Sequence, residues 1–207
     1  MEFRLTYEGP LLASNTGARD NKTARKAYKH GVRQQFHKQL KRIFEISPLL
    51  TTGKPSGAGL HGYTQTELPK YDKEAIAKKH QLYGFTFLPL VISDLKLSCW
   101  LDILYLRRQA PGNLWKFGDI DNRLKTLFDC LQVPDANQGY ELLQQQPDEL
   151  PYFYCLLEND NLISKVTVET DFLLQDLATP RDENDARLII TIRLRPYEVT
   201  LENILFS

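Results

Sequence analysis

Asp119-Ile120-Asp121-Asn122-Arg123-Leu124-Lys125-Thr126-Leu127-Phe128-Asp129-Cys130-Leu131 sets three carboxylates, an amide and a lysine along one short stretch, the most specific grouping of reactive side chains in the sequence. If the chain is extended where the stretch begins, Asp119 and Asp121 project from the same side, because strand side chains alternate. Two convergent carboxylates are the start of a site for a hard cation. From Asn122 the period changes: Leu124, Leu127, Phe128 and Leu131 fall at i, i+3, i+4 and i+7, which predicts an amphipathic helix with Asp121 as its N-cap. Asp121, Lys125 and Asp129 then follow at four-residue steps beside the apolar face, and Asp129 is expected to pair with Lys125. On these residues alone a second reading stays open, since acids in a first turn and Asp/Lys pairs one turn apart are ordinary helix surface.

The order Asp-x-Asp-Asn-x-x-Lys-x-x-x-Asp-x-Leu, from Asp119 to Leu131, resembles the active-site motif of the RusA family of Holliday-junction resolvases. In that family a third aspartate follows in a short Asp-Asp-(small or polar)-x-(aliphatic) segment that leads into a strand. Its match here is Glu158-Asn159-Asp160-Asn161-Leu162-Ile163, with strand-like Lys165-Val166-Thr167-Val168-Glu169 behind it and Asn159 in place of the first acid. The resemblance, which covers roughly residues 85 to 195, implies catalytic roles for Asp119, Asp121, Asp160 and Lys125. It also implies Mg²⁺ or Mn²⁺ held by Asp119, Asp121 and Asp160. Asn122 would steady a carboxylate, and Glu158 and Glu169 are the next nearest acids. The expected activity is phosphodiester hydrolysis in branched DNA, four-way junctions above all, by a compact α/β homodimer. Two alternatives remain: an endonuclease for flaps, nicks or foreign DNA, and a DNA-binding subunit of the same fold without turnover.

The gap between Asp121 and Asp160 is longer than in short family members, and it holds Pro134-Asp135-Ala136-Asn137-Gln138-Gly139 and Gln144-Gln145-Gln146-Pro147-Asp148. Such breaker-rich polar sequence predicts an inserted loop over about 133–150.

At 207 residues, 42% hydrophobic and 25% charged, the chain can bury one good core, and a single domain is expected. No apolar run approaches the roughly 18 residues of a membrane span, and Met1-Glu2-Phe3-Arg4 opens no secretory leader, so the cytoplasm is the expected home. Cys99, Cys130 and Cys155 form no Cys-x-x-Cys pair and sit in apolar surroundings, which points to buried free thiols.

Net charge is zero, yet nine Lys or Arg stand against two acids between Arg19 and Glu45. Val32, Phe36, Leu40 and Ile43/Phe44 recur there at helical spacing, predicting a long helix over about 19–46 whose apolar stripe docks on the core. Its basic faces, including Lys22, Arg25, Lys26, Lys29 and Arg33, are expected to meet DNA phosphates, with His30 and His37 on the same faces; a merely solvated helix is the alternative. Lys116 is expected to help hold a phosphate, with Trp115 exposed beside it and Trp100 in the core. The Gly-rich segment 53–62 lacks the spacing of a phosphate-binding P-loop and reads as a mobile loop, with substrate contact as the alternative.

Alternating or β-rich runs at Glu2–Tyr7, Phe85–Ile92, Lys96–Leu106, Phe153–Leu157, Lys165–Phe172 and Arg187–Leu194 predict strands. The expected class is α+β: a mixed β-sheet with helices packed on one face, RusA-like. Apolar strands near both ends imply exposed sheet edges, which a dimer would cover or the charges of Arg187 and Arg193 would blunt.

Overall fold

Leu97–Arg107 forms a central strand of the protein, β4 in chain order, with burial alternating from Cys99 onward. Leu97, Cys99, Leu101, Ile103, Tyr105 and Arg107 are buried, while Trp100, Asp102, Leu104 and Leu106 between them are only half covered. The computed structural model describes residues 1–14, 22–47, 50, 71–108, 120–136, 140, 143–174, 184–200, 203 and 206, with Lys22 by its backbone alone.

Around β4 lie β1 (Glu2–Pro10), β6 (Ile163–Phe172) and β7 (Asp185–Pro196), in the order β1-β7-β4-β6. β1 and β4 each pair antiparallel with β7, and β6 runs parallel to β4. A second, three-stranded sheet orders β2 (Gln81–Leu82), β3 (Phe85–Val91) and β5 (Phe153–Leu157), with β3 and β5 parallel and without polar alternation, as strands covered on both faces require. The expected α+β class holds, but two sheets stand where one was expected.

The inner face of the larger sheet is apolar and continuous: Leu5, Ile190 and Ile103 lie in register across three strands, as do Tyr7, Leu188 and Tyr105. Its outer face is charged. Arg193 pairs with Glu2 at 2.7 Å and also with Asp102, and Arg187 pairs with Glu8 at 2.6 Å. Trp100 belongs to this outer face and not to the core, because even-numbered positions of β4 point outward. Lys165 and Arg195, from the two flanking strands, each stand over its ring at 5.1 and 4.9 Å.

Helix α1 (Lys22–Ile46) docks through Val32, Phe36, Leu40 and Phe44, as its spacing predicts. Two further helices are α2 (Lys73–Lys79), capped by Asp72, and α3 (Ile120–Leu131). None of the described helices is long and apolar enough to cross a membrane.

The lateral edge of β1 is closed by α1 side chains. The Thr6 N–H donates to Gln39 Oε1 at 2.9 Å, and Gln39 Nε2 donates back to the Thr6 carbonyl at 2.7 Å. One turn earlier Gln35 repeats the pattern on Glu8, at 3.3 and 3.1 Å. Each carboxamide supplies the donor and acceptor that a neighbouring strand would otherwise offer. β7 is an interior strand, so Arg187 and Arg193 do not guard an edge. At the opposite margin lies β6, most of whose residues are exposed.

Candidate functional site

The motif helix α3 forms as its apolar period predicts, with Leu127 and Leu131 buried and Leu124 and Phe128 partly so. It begins at Ile120, so Asp121 lies inside the first turn, near the positive end of the helix dipole, and not at the cap. Asp121 and Lys125 are both exposed. Asp119, Trp115, Lys116 and the Gly-rich segment 53–62 lie outside the described residues.

The start of α3 is fixed by a hydrogen-bonded corner. The Ser14 N–H donates to the Asn122 carbonyl at 2.9 Å, and its hydroxyl donates to Asn122 Oδ1 at 2.8 Å. Arg25 of α1 donates to the Ser14 carbonyl. Buried Arg123 donates to the Leu11 carbonyl and, at 2.9 Å, to Asn184 Oδ1. Asn122 thus orients the backbone corner. These contacts pin Asp121 to the end of the larger sheet where Arg107, Ala186 and Gly9 come together.

Asp160 lies at the other end. Its N–H donates to the Gln132 side chain at 2.8 Å, just past the C-terminus of α3 and eleven residues on from Asp121, about 16 Å of helix rise. The sheet agrees: Asp160 leads into β6, whose first residue pairs with Cys99, whereas the Asp121 end is that of Arg107 and Phe172. A single chain therefore does not bring Asp160 to Asp121. Glu158, the neighbouring acid, accepts from Ser93 Oγ at 2.5 Å and lies 3.2 Å from His80 Nε2, so it anchors the turn before β4. Among the described residues no three His, Cys, Asp or Glu side chains group as a metal site.

Asp129 pairs with Lys29 of α1 at 2.5 Å, not with Lys125. Arg33 is buried, donates to the Asp129 carbonyl at 2.6 Å and lies over the Tyr140 ring, so it is not a phosphate ligand. Arg25 and Lys26 are half-buried near the N-terminal end of α1.

His30 and His37 are buried, contrary to the expectation of a basic face. His37 Nε2–H donates to the Asp148 carbonyl at 3.1 Å while Nδ1 accepts from the Tyr154 N–H at 2.9 Å, which is the pattern of a neutral imidazole. His30 sits 3.1 Å from Glu149 and 3.2 Å from the Tyr140 hydroxyl. Burial lowers the pKa of both histidines below the ordinary value, with Glu149 opposing. Wholly buried Glu149 also accepts from Gln34 and from the Gln146 N–H, both at 2.8 Å. The described part of 133–150 is therefore packed onto α1. The spacing 30, 33, 37, 40, 44 is a three-four repeat that could have revealed this buried stripe, had two histidines and an arginine been allowed to occupy it.

The three cysteines are buried and free, and burial pushes their thiols up, to about 12 for Cys99 and Cys155 and about 11 for Cys130. No family model matches this chain, and no curated protein matches it.

Proposed function

We propose that this chain is a Mg²⁺- or Mn²⁺-dependent endonuclease of RusA type that hydrolyses phosphodiester bonds in branched DNA, four-way junctions first, as a homodimer. The observation that carries this reading is the exposed Asp121/Lys125 pair on the first two turns of α3, tied through Asn122 and Ser14 to Arg25 of the most basic of the described helices. Asp121 would contribute to a cation site together with Asp119, its neighbour in the motif. The Lys125 ammonium would offset charge growing on phosphoryl oxygens. Lys22, Arg25 and Lys26 would meet the DNA backbone.

Mg²⁺ prefers six oxygen ligands, keeps several waters and needs only one or two carboxylates when substrate phosphate supplies the rest. Of the expected acids, Asp121 stands on the first turn of α3 and Asp160 beyond its far end. The same separation favours a second reading, a DNA-binding subunit without turnover.

Cleavage of synthetic four-way junctions, flaps, nicked duplex and linear duplex with Mg²⁺, and binding with Ca²⁺, tests the proposal. Junction cutting lost in Asp121→Asn supports it. Broad cutting moves the substrate, and tight binding without cutting selects the second reading.

A further inference from the structure

Arg107, the last residue of β4, is a buried cation with no counter-charge. Alternation puts its side chain on the core side of the larger sheet, with Leu101, Ile103 and Tyr105, and only 8% of its surface is exposed. Its Nε is buried without a hydrogen-bond partner, and among the described residues no carboxylate pairs with it. The nearest acid on the neighbouring strand, Asp185, is paired with Arg108 at 3.3 Å. Taking a cation out of water without an anion is strongly unfavourable, so an arginine held this way asks for a ligand that supplies the missing charge.

The start of α3 lies over this arginine. On the core side of the sheet Arg107, Ala186 and Gly9 form one cross-strand row, and Tyr105, Leu188 and Tyr7 form the row before it. Beyond the Arg107 row the Leu11 N–H donates to the Asn184 carbonyl at 2.9 Å. Arg123, on the first turn of α3, reaches both sides of that row. It donates to the Leu11 carbonyl and to Asn184 Oδ1 on the far side. On the near side burial raises the pKa of the Tyr105 hydroxyl, the charges of Arg123 and Arg107 oppose the rise, and Arg123 hydrogen-bonds to it. Two buried guanidinium groups therefore share the N-terminal end of a twelve-residue helix, where the dipole and the first backbone N–H groups favour an anion. Arg25 reaches the same corner through the Ser14 carbonyl, and exposed Asp121 and Lys125 stand on the same two turns.

We propose that Arg107, with Arg123 and the N-terminal end of α3, forms an anion site that takes a phosphate group of the nucleic-acid backbone, at the same end of α3 as Asp121 and Lys125. The planar fork of an arginine matches two phosphate oxygens at once, and a bound phosphate supplies the charge that the fold withholds from Arg107. That the phosphate belongs to DNA rests on the nuclease reading; the anion site does not.

Thermal melts in inorganic phosphate and in chloride at equal ionic strength test the site. Wild-type should melt higher in phosphate. Arg107→Met should melt above wild-type in chloride, by about 3 °C, because it removes an uncompensated buried charge, and should gain nothing from phosphate. Arg107→Lys, which keeps the charge and loses the fork, should keep only part of the protection. An arginine that merely braces the fold gives the opposite order, with Arg107→Met less stable than wild-type in chloride. That order, an unprotected wild-type, or phosphate protection surviving in Arg107→Met overturns the site.

Binding of linear duplex and of four-way junctions in Ca²⁺ separates nucleic acid from free phosphate. Arg107→Met should weaken both about tenfold and lower the log–log salt slope by about 0.9. Unchanged DNA affinity, with phosphate protection lost, makes free phosphate the ligand and overturns the DNA assignment alone. If wild-type cuts no DNA, the nuclease reading fails and the melts still judge the anion site.

Discussion

Lys29 and Asp129 join α1 to α3 through a 2.5 Å ion pair in which both side chains are mostly covered. With Arg33 on the Asp129 carbonyl, this contact makes Asp129 part of the clamp between helices. Asp129→Asn should lower stability by about 1–2 kcal/mol by leaving a half-buried lysine unpaired. Chemical denaturation reads that loss, and junction cleavage at the wild-type rate in the folded variant is expected alongside it. Abolished cleavage with unchanged stability would place Asp129 in the chemistry instead.

Arg33 and Lys26 separate folding from DNA contact. Arg33→Gln should destabilise the protein by about 3 kcal/mol, since it withdraws a buried cation from its partners. Lys22→Gln with Lys26→Gln should lower affinity for every DNA shape. The log–log salt slope should fall by about 0.9 for each lost duplex-phosphate contact. An unchanged slope would mean that this end of α1 faces only solvent.

Buried His30 and His37 make stability depend on pH. Their folded pKa values are depressed, so the contribution is fully present above the unfolded value near 6.5. As pH falls below it, the unfolded chain takes up protons that the folded chain refuses, and stability drops by up to about 1.4 kcal/mol per pH unit for each histidine. Thermal melts from pH 7.5 to 5.0 should show the decline, and His37→Gln should flatten it. A flat profile in wild-type would overturn the neutral assignment.

Gln35→Ala with Gln39→Ala should cost little in melting temperature, because the freed Thr6 and Glu8 backbone groups are exposed to water. Its effect belongs to association: light scattering should show larger assemblies than wild-type as the β1 edge opens. Wild-type behaviour on prolonged incubation would deny the glutamines this role.

β4 and the two longer helices were legible because their apolar periods are regular, whereas β3 and β5 were legible only as short apolar, β-rich runs and β2 was not read at all. What failed to show were polar residues in buried stripes. His30, Arg33 and His37 read as solvent-facing by type, and only their partners Glu149, Tyr140 and Asp129, distant in sequence, make burial tolerable. The Asp119/Asp121 motif was legible as a motif, but the place of Asp160 was not. It depends on which end of β4 the strand β6 joins, and a parallel crossover sets that over a long range.

The glutamine-lined margin of β1 has a consequence for how large an assembly can become. A sheet with two adhesive sides adds copies without limit and ends as a ribbon or fibre, whereas one with a single adhesive side is saturated by its first neighbour. By acting as a false last strand, α1 gives this side of the sheet a stopping point.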